Sequence, residues 1–182
     1  MDDKIISLAY LNTYSIPYKN YYENIPLNWF KTSLSNVISL TSGTDLTPEE
    51  YSKNNIGIPY LTGASNIDSN NNIIINRYTS KKYINSYIDE ILLTCKGTIG
   101  KIVINNIGEV HVARQFMSIK SFVDIDYLVI FLSTLVSELN KEAKSMIPGI
   151  DREQVLSKPI IVPPLEEQKR IANKVNLILN QI

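Results

Sequence analysis

The chain has 182 residues, 44% of them hydrophobic, so it can bury one substantial core, and its 18 Lys and Arg balance its 18 Asp and Glu. Zero net charge excludes a globally basic nucleic-acid coat and confines any polyanion-binding surface to a local patch. One cysteine, Cys95, and one histidine, His111, exclude an intramolecular disulfide and a zinc site built from several such ligands, and the longest apolar stretch, Tyr127 to Val136, is too short to cross a bilayer, which points to a soluble cytoplasmic protein.

Residues 1–25 show no clear period and are punctuated by Pro17, so they read as a leader that packs on something else. From 26 to 163 short elements alternate with turn signals: LNWFKTSLSNVISL, IGIPYLTG, NIIINRYT, EILLTC, KIVIN, EVHVA and QFMSIK. Most have the length and β-branched content of strands, and the gaps between them are too short for helical crossovers. Mainly antiparallel pairing follows.

The first long helical pattern starts at Asp126, where Leu128, Phe131, Leu132, Leu135 and Leu139 fall on one face and Asp126 is the expected cap. DREQVL from Asp151 has capping-box spacing to Gln154. KPIIV then reads as a strand that Pro159 confines to an edge or a strand start.

Pro163 and Pro164 end that strand, because they lack amide hydrogens, and Pro164 suits the first turn of a helix. Glu166 and Glu167 follow at the positive end of the helix dipole. Ile171, Val175, Ile178 and Ile182 step along one stripe, and Leu165, Ala172 and Leu179 recur alongside it. Lys169, Arg170, Asn173, Lys174 and Asn176 form the polar flank, so residues 164–182 make an amphipathic helix that docks either on its own domain or on a partner helix.

Several catalytic readings fail on spacing. KGTIGK has two residues where a phosphate loop needs four before its Gly-Lys, and Ile102 stands where Ser or Thr is required. Asp89 and Glu90 precede a strand ending at Lys96, but a metal-nuclease core requires an acid where Thr94 stands. No Gly-rich cofactor loop is present. His111 reads as a satisfied strand residue and Cys95 as a small buried hydrophobe.

The order of IPLNWFKTSLSNVISLTSG, GIPYLTGASNI, DEILLTCKGTIGK, ARQFMSIK and PIIVPPLEEQKRI resembles one target-recognition module of a type I restriction-modification specificity subunit, from about Ile25 to the last residue. The resemblance implies an α+β fold: a mixed, mainly antiparallel recognition domain over 26–163, then a conserved spacer and dimerisation helix over 164–182 that forms a coiled coil. It implies a non-catalytic subunit that reads one half of a bipartite site in double-stranded DNA and recruits methyltransferase and restriction subunits. The chain itself would hold no cofactor, and S-adenosylmethionine, ATP and Mg would bind the partner subunits. A full member carries two modules in tandem, so this chain is expected to be a fragment or a half-subunit that pairs with a second module or with its own copy through Leu165, Ile171, Ala172, Val175, Ile178, Leu179 and Ile182.

Within that frame, phosphate contacts call for Lys, Arg or small donors on loops, and base reading calls for forked or amide side chains. The loop TCKGTIGK offers Lys96, Thr98 and Lys101, with a plain hairpin turn as the alternative. YLTGASN offers Tyr60, Thr62, Ser65 and Asn66, and Lys81 with Lys82 forms a basic cluster beside Tyr78 and Tyr83. In ARQF, Arg114 suits guanine and Gln115 suits adenine, and strand alternation would aim only one of them at the groove, with Arg114 the one expected. ARQF stands where the family more often has an Asn-Gln pair. The competing function is an interaction module, a regulator or decoy that pairs through the helix without reading DNA.

Overall fold

The computed structural model describes residues 25–80, 83–142, 149–179 and 181. The leader up to residue 24, the Lys81–Lys82 pair and Ile182 lie outside the described residues.

Strand β1 (Phe30–Ser33) pairs antiparallel with β9 (Pro159–Val162) in a two-stranded sheet, which places Pro159 opposite Ser33 on an edge, as its missing amide requires. Strands β2 (Ile38–Ser42), β5 (Ile91–Thr94), β6 (Ile102–Ile104) and β8 (Phe116–Ser121) form an antiparallel sheet in the order β2-β8-β5-β6. Ile91 and Leu93 point into one apolar cluster and Leu92 into another, so β5 is covered on both faces and reads as an unbroken ILL run. Met117 and Ile119 of β8 join the first cluster and Phe116 joins the second.

The first cluster is closed by helix α1 (Ile125–Glu142), whose Leu128, Leu132, Leu135 and Leu139 are almost completely buried. Its cap is Asp124, not Asp126: the Asp124 carboxylate accepts from Tyr127 N at 3.0 Å, and Asp126 falls in the exposed first turn. The second cluster lies towards a smaller sheet of β3 (Ile58–Leu61), β4 (Tyr78–Thr79) and β7 (His111–Val112). Its β3–β7 pair is parallel, Tyr60 opposite His111, an exception to the antiparallel expectation.

NIIINRYT supplies only the two residues of β4. Ile74 N instead donates to Asn66 O and Ile74 O accepts from the Asn66 side chain, both at 2.8 Å, so a side chain takes the place of a neighbouring strand. Cys95 is buried at the end of β5, and loss of solvent pushes its thiol up to about 11.

Helix α2 (Arg152–Leu156) opens with both halves of the Asp151–Gln154 capping box. After β9, Pro163 and Pro164 turn the chain into helix α3 (Leu165–Leu179), and Pro164 O accepts from Glu167 N and Gln168 N. Helix α3 packs on α1. Gln168 fastens the two helix starts: its Oε1 accepts from Asp124 N at 2.8 Å and its Nε2 donates to Pro163 O at 2.7 Å. Ala172 and Leu179 are buried and Ile171 packs on the main cluster, so these three expected pairing residues are engaged within the chain itself. Val175 is half-buried, and Leu165, Leu177 and Ile178 remain exposed.

Candidate nucleic-acid interface

Five segments meet at one end of the central sheet. The turn 113–115 between β7 and β8 is tied to β3 by Ala113 N donating to Leu61 O and to the β5 end by Cys95 N donating to Gln115 O, both at 2.8 Å. The segment after β2 joins through Gly43 N to Phe116 O and Thr44 N to Val112 O. Ile150 N donates to Cys95 O at 2.8 Å and Lys96 bridges Gly149, which brings in the start of α2.

Close backbone approach explains two glycines here. A Cβ at Gly43 would collide with the Ala113 carbonyl, and one at Gly63 would occupy the place of the Gln115 amide oxygen. The loops are therefore held backbone against backbone, and their side chains project from a fixed base.

Arg114 and Gln115 lie in the turn and not on a strand, so strand alternation does not separate them, and both are exposed. The Arg114 side chain keeps 69% of its accessible surface, and its Nε sits 2.5 Å from Asp45 Oδ2. Arg114 N also donates to Asp45 Oδ1 at 3.1 Å. Lys96 and Thr98 are exposed on the β5–β6 turn, and Ser65 is exposed after β3.

The remaining expected residues serve the scaffold. Lys101 Nζ donates to Ile67 O at 2.9 Å and Ala64 O at 3.3 Å. Asn66 is completely buried: its Oδ1 accepts from Thr62 N and Gly63 N, and its Nδ2 donates to Ile74 O, so it is an internal brace and does not present an amide to a base. Thr62 Oγ1 accepts from Arg77 Nη1 at 2.8 Å. Tyr60 is buried, its hydroxyl accepts from Leu46 N, and burial holds its phenol above the ordinary value of 10.0.

Sequence reading missed Arg152, Arg77 and Asp45. Arg152 lines a groove of about 420 Å³ together with Ser42, Lys96, Arg114, Asp151 and Gln154, and its Nη1 donates to Leu40 O. Arg77 lies 5.4 Å from the centre of the Tyr51 ring. Arg152 carried a signal only as the residue after a cap; its meeting with Arg114 depends on the Lys96–Gly149 bridge, which no local pattern announces. The resulting surface offers three cations, Lys96, Arg114 and Arg152, with the carboxylates of Asp45 and Asp151 set among them.

A family model described as "Type I restriction modification DNA specificity domain" matches residues 26–182. No curated protein sequence matches the chain. Among solved structures, the HsdS subunit from Thermoanaerobacter tengcongensis superposes with a TM-score of 0.79 at 19% identity, over 99% of this chain and 44% of that one. A chain from "Structural basis underlying complex assembly and conformational transition of the type I R-M system" gives 0.82 at 19% identity, over 99% and 45%. The type I restriction-modification S subunit from M. genitalium gives 0.61 at 16% identity, over 85% and 40%. The chain thus spans less than half the length of each of these solved proteins.

Proposed function

The chain belongs to the type I restriction modification DNA specificity domain family, and from that premise we propose that it reads one half of a bipartite site in double-stranded DNA as the non-catalytic specificity component of a restriction and methyltransferase complex. The observation that carries this reading is the convergence of five segments on one end of the sheet, where exposed Lys96, Thr98, Arg114, Gln115 and Arg152 stand on a hydrogen-bonded base. In this reading Lys96, Thr98 and Arg152 meet phosphates and set the register, while Arg114 and Gln115 reach base edges in the major groove.

The rest of the assembly follows the same proposal. The apolar residues left open on α3, Leu165, Leu177 and Ile178, together with half-buried Val175, take a second recognition module or a second copy of this chain, so that the helix sets the distance between half-sites. Methyltransferase and restriction subunits bind S-adenosylmethionine, ATP and Mg, and the complex works in the cytoplasm. No helix among the described residues is long and apolar enough to cross a membrane.

Fluorescence-anisotropy titration tests the DNA-reading claim directly. Duplexes of random sequence are titrated at two salt concentrations, with and without the methyltransferase subunit. A reader of sequence leaves a competitor-resistant fraction above a salt-sensitive background. A regulator or decoy that pairs through α3 without reading DNA leaves neither, in either arm.

A further inference from the structure

We infer that Asp45 is a positioning residue that turns Arg114 into a reader of guanine, an inference that rests on the DNA-reading function proposed above. Asp45 grips Arg114 twice, Oδ1 accepting from its backbone N at 3.1 Å and Oδ2 pairing with its Nε at 2.5 Å. The guanidinium has two edges that can act as a donor pair. With Nε engaged by the carboxylate, the Nη1–Nη2 edge remains, and among the described residues neither of these nitrogens donates to the protein. The side chain is 69% exposed, so that fork opens to solvent at the end of the sheet where the five segments meet.

Two features favour a base over a phosphate as its target. The backbones on both sides of the pair are locked, because Gly43 lies directly against the Ala113 carbonyl and Thr44 N donates to Val112 O at 2.9 Å, so the fork has a fixed origin and direction. Such fixation suits the O6 and N7 acceptors of guanine, which demand two parallel hydrogen bonds, more than a phosphate, which accepts from many directions. The second feature is charge. Asp45 neutralises Arg114 locally, and its carboxylate would repel a phosphate drawn up to the same guanidinium, whereas the neutral guanine edge meets no such opposition.

The test selects bound duplexes from a pool with a randomised core, using the full chain and the variants Arg114→Lys, Asp45→Asn and Asp45→Glu, each first shown by thermal melting to be folded. The expected result is a motif whose preference for G·C at one position falls at least about fivefold in Arg114→Lys and in Asp45→Asn, with the other positions unchanged. Asp45→Glu restores part of that preference. Arg114→Gln provides a second readout: a guanine contact leaves the salt dependence of binding unchanged, while a lost phosphate contact flattens the slope by about 0.9.

Even weakening across all positions, a flattened salt slope, or an unchanged motif in the variants would overturn the role of Asp45 and leave DNA reading intact. A wild-type chain that enriches no motif, alone or with the methyltransferase subunit, would overturn both.

Discussion

Lys101 and Ile67 are joined across the chain by a hydrogen bond of 2.9 Å from the ammonium of one to the carbonyl oxygen of the other. The same ammonium donates to Ala64 O at 3.3 Å, so Lys101 straps the β5–β6 turn to the loop after β3. Lys101→Met keeps the length of the stem and removes both bonds, which predicts a loss of about 1–3 kcal/mol in urea unfolding. The salt slope of DNA binding should stay unchanged in this variant, because a strap, unlike a phosphate ligand, releases no counterion when it is removed.

His111 holds two other loops. It is completely buried, with Nδ1 2.5 Å from Tyr83 O and Nε2 2.6 Å from Thr44 O, and its ring lies 5.3 Å from that of Tyr60. His111→Phe preserves an aromatic ring and removes the ring N–H that these carbonyls can accept from. A loss of about 2–4 kcal/mol in urea unfolding is expected, with DNA affinity falling only as far as the folded fraction falls.

Acid should weaken the fold in a predictable direction. Backbone and side-chain hydrogen bonds from Asn72 hold the Asp68 carboxyl below its ordinary 3.8, and a hydrogen bond from Arg170 holds Glu167 below its ordinary 4.5. Both are depressed in the folded state, so the stability they give is present above those ordinary values and is lost as pH falls through the depressed ones. Melting temperature measured against pH should therefore bend downward below about 4.5. Asp68→Asn with Glu167→Gln should make that bend shallower.

The two faces of α3 should respond differently to charge. Ala172 is 2% exposed, and Ala172→Asp places a carboxylate with no counter-charge among buried groups, at a cost of about 3 kcal/mol or more. Ile178 is 47% exposed, and Ile178→Asp should leave unfolding within about 0.5 kcal/mol of the parent. If the open side of α3 receives another helix, sedimentation equilibrium will show self-association lost in Ile178→Asp while the monomer stays folded.

Legibility in the sequence followed the range of the interaction. The leucine face of α1, the Asp151 box and the Pro163–Pro164 corner are local, set by neighbours within a few residues, and the structure has them as the pattern implied. The α1 cap moved two residues, to Asp124, because helix starts depend on one side-chain rotamer. The parallel pairing of Tyr60 with His111 and the gripping of Arg114 by Asp45 join residues far apart in sequence, and no periodicity encodes them. Asn66 misled although its partners are near in sequence: an Asn on a turn usually faces water, and here bonds with Thr62 N, Gly63 N and Ile74 O turn its amide inward.

The loop end holding Arg114 is proposed to choose where a methyltransferase acts. Sequencing of methylated bases across the genome of cells with and without this chain tests it most directly. Methylation at one bipartite motif is expected to disappear when the chain is removed, and Arg114→Lys to relax a single G·C position within one half of that motif. Identical methylation patterns with and without the chain would contradict it.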